Sequence, residues 1–335
     1  MPLSILNTIT MNTGENFGQG LAINASGTEA YIASTITNNR DVVRVNLASF
    51  VRAGKTTLTG TAASTQQAGG YGTDGHFYCQ DGPGNLYQID SSTIIRQANL
   101  GATPASVLVH SLTNFCYVWS NTTLKRVFLN TFVADKTLAT AIRGTRGVIN
   151  SAGTIGYFSS NNSPDVIYKI DLTGNMSVLG STILSSTGTV THMTADLSND
   201  VMYISLGGAT GKIVKLRLST MSEISTLTLP TNNSVTYTAI DEFNQLLYAC
   251  TNAAGTGKVQ LVNLSSFTVT DSVSLSGGAI PLGIGLDNTN GFVYVNDSSS
   301  PFKVYQIQGT PSISTGGKTF NKSRSPYNIY TNYYA

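Results

Sequence analysis

The feature that most constrains this chain is a repeat. Seven segments share one plan: an apolar strand, a polar turn, a strand carrying Tyr, a variable loop, and a third strand alternating apolar and polar residues. The Tyr-bearing strands read EAYIA, HFYCQ, FCYVW, IGYFS, VMYIS, LLYAC and FVYVN. Their tyrosines, Tyr31, Tyr78, Tyr117, Tyr157, Tyr203, Tyr248 and Tyr294, are separated by 47, 39, 40, 46, 45 and 46 residues. The residues flanking these tyrosines are apolar in thirteen of fourteen cases, Gly156 being the exception. Three apolar residues in succession require a strand covered on both faces, so each sheet is sandwiched between two others.

A second column stands seven residues before each Tyr: Asn24, Tyr71, His110, Asn150, Asp196, Asp241 and Asp287. A short Asn or Asp side chain there bonds its own backbone and opens a turn. The third strands, among them VVRVNL from Val42, IVKLRL from Ile213 and VQLVNL from Val259, alternate with period two, and a fourth follows, as in TIIRQANL from Thr93. No segment sustains a 3.6-residue period. Four strands in 40 to 47 residues, repeated seven times, predict an all-β, seven-bladed β-propeller of four-stranded antiparallel blades. The Trp-Asp signature of WD40 repeats is absent, and Trp119 is the single Trp. AINASGTEAYIAST and GLDNTNGFVYVND resemble the YVTN type of seven-bladed propeller, over roughly residues 20 to 308. That resemblance implies the fold; propellers of this type host unrelated activities.

The seventh repeat ends near Gln308, and PSISTGGKTF after it makes a poor strand because Gly316-Gly317 interrupts it. Residues 3 to 11 precede the first repeat as a fourth strand would. They are expected to complete the last blade and remove its open edge. The propeller is thus assigned to residues 1–308, and residues 309–335 to a basic, Tyr-rich C-terminal arm. Lys318, Lys322, Arg324, Tyr327, Tyr330, Tyr333 and Tyr334 are the arm's candidate partner-docking residues. Four charges without a patterned patch disfavour nucleic acid as the arm's target.

Asp, Glu, Lys and Arg form 11% of the chain, with a formal net charge of +2, against about 25% in an ordinary soluble domain. Ser, Thr, Asn and Gly take their place. Cys79, Cys116 and Cys250 have neither the number nor the spacing of a disulfide framework or a CxxC metal site, and read as buried apolar groups. No apolar run approaches 18 residues, so no membrane insertion is expected. The N-terminus lacks a basic segment followed by an apolar stretch, so no secretory signal is expected and the chain reads as cytosol-made.

In propellers the first strand of each blade faces the central channel. Eleven residues before each Tyr this strand supplies Gly20, Gln67, Ser106, Arg146, His192, Tyr237 and Gly283. Gln67, Ser106, Arg146, His192 and Tyr237 are the candidate channel-rim residues, with Arg146 and His192 on adjacent blades as the pair of chemical interest. None of the seven positions is acidic, whereas a hydrolase needs an activated water or nucleophile with carboxylates or a metal. His76, His110 and His192 occupy three different repeat positions and should not converge on a metal. GGATGK at 207–212 and AAGTGK at 253–258 resemble phosphate loops only superficially: a P-loop continues into Ser or Thr and a helix, while Ile213 and Val259 begin strands. No catalytic residue, metal or cofactor is assigned.

The composition resembles that of virion and tail proteins. It implies a noncatalytic structural or binding protein, a tail, fibre or decoration component of a virus or phage particle, made in host cytoplasm. Its partners would be other virion proteins or copies of itself, with a host-surface glycan or receptor as a further ligand. The alternative is a hydrolase like the propeller lactonases, whose fold is similar but whose metal cluster finds no match at the channel rim.

Overall fold

A computed structural model describes residues 2–15, 18–34, 41–59, 67–81, 84–100, 104–120, 123–139, 147–160, 165–230, 234–253, 256–278, 280–288 and 290–309. Seven four-stranded antiparallel sheets form the ring, each running from an innermost strand, the first of its blade, to an outermost one. Blade 1 is Gly18–Ile23, Glu29–Ser34, Asp41–Asn46 and Val51–Thr57; blade 2 is Gln67–Tyr71, Phe77–Gln80, Asn85–Asp90 and Thr93–Asn99. Blade 3 is Pro104–His110, Phe115–Ser120, Thr123–Phe128 and Val133–Ala139; blade 4 is Gly147–Ile149, Ile155–Ser159, Val166–Asp171 and Ser177–Ile183. Blade 5 is Thr189–Asp196, Val201–Gly207, Lys212–Arg217 and Ser222–Thr228; blade 6 is Ser234–Asp241, Leu246–Ala253, Thr256–Asn263 and Thr268–Ser274. Blade 7 joins Pro281–Asp287, Phe292–Asp297 and Lys303–Gln308 to the N-terminal strand Ser4–Thr10.

Each innermost strand packs against those of the two flanking blades, and the last of them meets the first. The hairpins joining first and second strands, and the turns joining third and fourth, lie at one face of the disc, the turn face. The loops joining second and third strands, and the connections between blades, lie at the other, the loop face.

The apolar triplets explain how the blades stack. The buried side chains fall into seven clusters, one at each blade interface, and every cluster contains the repeat Tyr of the preceding blade. Met202 and Ile204 face blade 4 while Tyr203 between them faces blade 6, which is why the flanks are apolar as well as the centre. Burial pushes the tyrosine hydroxyls up, to about 12 for Tyr31, Tyr117 and Tyr294, so they stay neutral donors.

What each Tyr meets is a second repeat feature that the sequence reading did not pick out. The turn between third and fourth strands places one non-glycine residue at positive φ: Phe50, Ser91, Phe132, Met176, Met221 and Phe267 in blades 1 to 6. Tyr294 packs on Phe50, Tyr78 on Phe132 and Tyr203 on Phe267, with ring centroids 6.0, 6.0 and 6.1 Å apart. Met176 and Met221 share clusters with Tyr117 and Tyr157, and Tyr31 donates its hydroxyl to the Ser91 carbonyl at 3.0 Å. Bulky residues rarely adopt φ near +50°, at a cost on the order of 1 kcal/mol; the side chain's seat against the neighbouring Tyr holds it there. A sequence signal exists, Leu-x-x-Phe or Leu-x-x-Met after the third strand, in LASF, LNTF, LSTM and LSSF.

Closure follows the sequence expectation. Ser4–Thr10 pairs antiparallel with Lys303–Gln308, and the flanking Leu3 and Met11 are buried. Glu15, 2% exposed, locks the crossing from blade 7 into blade 1: its carboxylate takes both Arg52 Nε contacts, at 3.0 and 2.9 Å, an Arg52 Nη2 contact, and the Asn12 N–H at 2.9 Å. The Glu15 carbonyl accepts the Phe302 N–H at 3.0 Å.

Removing residues 1–12 is therefore expected to lower the melting temperature strongly, and an unchanged melt would refute closure by this strand. Glu15→Gln should cost about 2 kcal/mol in chemical denaturation, below the 3–5 kcal/mol of a fully buried pair because Arg52 keeps some solvent. Phe132→Ala should cost about 3 kcal/mol as a buried aromatic truncation.

Candidate functional site

Five positions of the channel-rim column share one register, each opposite the residue two places after the repeat Tyr. Gln67 stands opposite Gln80, Ser106 opposite Trp119, His192 opposite Ser205, Tyr237 opposite Cys250 and Gly283 opposite Asn296. Most of these innermost strands are bulged near that point, which bends the strand locally at the loop-face end. The side chains of Gln67 and Ser106 fall outside the description. Arg146 lies outside the described residues altogether, so its pairing with His192 is not placed.

His192 and Tyr237 are brought together, with ring centroids 5.3 Å apart, and both are buried. His192 Nδ1 accepts the Thr238 backbone N–H at 3.3 Å and stands 3.0 Å from the Thr238 hydroxyl. A nitrogen that accepts an N–H carries no proton, so the hydroxyl also donates to Nδ1 and the ring proton sits on Nε2. The Thr238 hydroxyl in turn accepts from Ser205 Oγ at 3.4 Å. This chain ties the innermost strands of blades 5 and 6 together.

At the turn face the Asn/Asp column behaves as turn chemistry demands. Asp241 accepts the Asn244 N–H and its side-chain amide at 3.0 and 2.7 Å, and Asp287 does the same with Asn290 at 3.1 and 2.7 Å. Asn24 and Asn150 accept two backbone N–H groups each, four and five residues ahead. Tyr71 departs from the column because the blade 2 hairpin is one residue shorter. Gly72 opens that turn, and Tyr71 packs edge-on to Tyr31 and Phe77 in the core.

Carboxylates at the loop face do similar work. Asp81 and Asp297, both three residues after the repeat Tyr, cap the start of the third strand through the Asn85 and Lys303 N–H groups at 2.8 Å each. They also accept the Tyr87 and Tyr305 hydroxyls, at 2.7 and 2.9 Å. Asp41 holds Lys55 Nζ at 2.6 Å, and Asp165 accepts the Val190 N–H at 2.6 Å. Glu15, Asp41, Asp81, Asp165 and Asp297 are each at most 3% exposed. Burial pushes the Cys79, Cys116 and Cys250 thiols up, leaving no ready thiolate. Among the described residues no His, Cys, Asp and Glu gather in a metal-holding group.

No protein-family model matches this chain, and no curated protein matches its sequence. Among solved structures it is similar to the β-propeller domain of Cps50 (Swd1) from Myceliophteria thermophila, with a TM-score of 0.70 and 11% sequence identity, over 92% of this chain and 100% of that one. At that identity the likeness establishes the fold: the chain is a seven-bladed β-propeller.

One carboxyl stands apart. Glu242, on the blade 6 hairpin beside the 75%-exposed Phe243, is pushed up to about 7 by burial and by the negative charges of Asp196 and Asp241. A carboxyl that holds its proton more tightly when folded stabilises the fold below its unfolded value, and that stability is lost as pH rises through 7. The melting temperature of wild type should therefore fall between pH 5 and pH 8 by more than that of Glu242→Gln; parallel pH profiles would contradict the placement.

Proposed function

We propose that this chain is a noncatalytic binding scaffold acting through protein–protein contacts, and in particular a structural component of a virus or phage particle. One observation carries the first part: every carboxylate at the loop face, and the histidine of the channel rim, is already engaged in tying strands or blades together. A hydrolase would need such a group poised over an open site. Likeness of fold to the propeller domain of Cps50 (Swd1) is in keeping with a binding role and carries no activity with it.

The particle assignment is supported by composition and by the rim of the disc. A surface with few charges and many hydroxyls and amides leaves association to packing and hydrogen bonding rather than to long-range charge. The outermost strand of blade 4, SVLGSTI, has no charged residue and exposes Val178, Leu179 and Ile183. Edge strands that avoid partners usually carry charge. The strand would seat a second copy of this chain, edge to edge. No like charges would oppose each other across the two-fold axis.

Light scattering of the purified full-length protein is expected to show self-association, weakened at least tenfold in Leu179→Asp/Ile183→Asp. Mass spectrometry of purified virions should contain the chain. A strict monomer that is absent from any particle would overturn the assignment. Assays with lactone substrates are expected to show no turnover; hydrolysis abolished by Arg146→Ala or His192→Ala would establish the lactonase-like alternative instead.

A further inference from the structure

The two Gly-rich loops that resemble phosphate loops have a structural counterpart in the next blade. GGATGK, AAGTGK and SSSPFK end in Lys212, Lys258 and Lys303, which lie at the loop-face ends of the third strands of blades 5, 6 and 7, Lys212 and Lys303 as the first residue and Lys258 as the third. The register makes the three equivalent. Lys212 lies opposite Leu206 and Lys258 opposite Thr251, each three residues past the repeat Tyr, and their outer neighbours are Thr228, Ser274 and, for Lys303, Thr10. The corresponding positions in blades 1 to 4 are Asp41, Asn85, Thr123 and Val166, so the lysines form an arc on one side of the ring.

These lysines differ from the other cations near the loop face. Lys55 is bound to Asp41, and Lys125 donates to the Leu100 carbonyl at 2.6 Å. Lys212, Lys258 and Lys303 take part in none of the ion pairs among the described residues. Lys303 Nζ instead reaches over the connection from blade 6, 3.5 Å from where a Cβ on Gly277 would stand. The carboxylate nearest in sequence, Asp297, is wholly buried and occupied by Ser299, Tyr305 and the Lys303 N–H. The described loop residues around the arc, 184–188, 208–211, 229–230, 275–277, 280 and 298–302, contain no charged residue and are built largely of Ser, Thr, Gly and Ala.

We propose that this arc binds an acidic polysaccharide, a uronate or sulfated glycan, across blades 5 to 7. The proposal rests on the noncatalytic binding reading and names one ligand for it. A polymer of sugars offers many hydroxyls and widely spaced anions, which suits hydroxyl-bearing loops punctuated by one ammonium per blade. A nucleic acid calls for denser cations and aromatic stacking platforms. An acidic peptide calls for exposed apolar anchors, and the exposed large apolar side chains of blades 5 to 7 lie on outermost strands or on the turn-face hairpin at Phe243, away from the arc.

Calorimetric titration of the full-length protein tests this with oligogalacturonate, dextran sulfate, neutral dextran, polyglutamate and oligo(dT). One or both acidic glycans are expected to bind, more weakly as salt rises, and neutral dextran is not. Lys212→Gln/Lys258→Gln/Lys303→Gln should weaken binding at least tenfold, the triple Arg variant should restore it, and Lys55→Gln should leave it unchanged. Single Lys258→Gln, expected to melt like wild type, guards against a folding defect in the triple variant. The site is overturned if neither acidic glycan binds, if the triple Gln variant binds as wild type, or if polyglutamate or oligo(dT) binds more tightly than both glycans. Self-association and particle incorporation measured on the same Gln variants separate the two readings: both kept while glycan affinity is absent defeats the arc alone, and glycan binding by a strict monomer found in no particle defeats the particle reading alone.

Discussion

The structure depends on one contact made at blade after blade: a buried Tyr from the second strand of one sheet wedged against the left-handed turn of the next. A propeller has no continuous sheet around its circumference, so its blades are held together chiefly by side-chain contacts. The Tyr ring supplies apolar area, and its hydroxyl, or the cation beside it, reaches the neighbour's backbone. Arg126, opposite Tyr117, donates to the Leu172 carbonyl of blade 4 at 2.7 Å, and Lys169, opposite Tyr157, approaches the Leu218 carbonyl of blade 5 at 3.4 Å. Blade 7 has no such turn because its fourth strand comes from the N-terminus. Tyr248 of blade 6 shares its cluster with Leu3 there, so ring closure and blade packing meet at one place.

That arrangement decides what is left over for function. Asn, Asp and the rim histidine are spent on turns and on stitches between neighbouring strands, and the cysteines are wholly buried. The two faces of the disc then differ: the turn face carries carboxylates in its hairpins, whereas at the loop face every carboxylate is buried and Lys212, Lys258 and Lys303 of blades 5 to 7 take part in no ion pair among the described residues. Binding by loops on a rigid ring needs no movement of the blades, which suits a scaffold.

The strand pattern was legible because it rests on periodicities that survive divergence: alternation within strands, apolar flanks on both sides of Tyr, and Asn or Asp at a turn. Closure was legible for the same reason, since residues 3 to 11 read as a fourth strand without a blade. What stayed hidden involved conformation or partnership. Phe132 and Met221 look like ordinary apolar residues after a polar turn, and nothing in their identity announces a positive φ. Tyr71 fell into the turn column because a hairpin shortened by one residue displaces a fixed offset. His192 was visible as an unusual rim residue, but its role depends on Thr238, one blade away and forty-six positions along the chain. The arm residues Lys318, Lys322, Arg324, Tyr327, Tyr330, Tyr333 and Tyr334 lie outside the described residues.

A double-mutant cycle on Tyr203 and Phe267, each replaced by Leu singly and together, tests the wedge most directly. Chemical denaturation should give a coupling energy of about 1 kcal/mol or more between the two sites. Strictly additive losses would contradict the claim that this contact, rather than each blade's own core, holds the ring together.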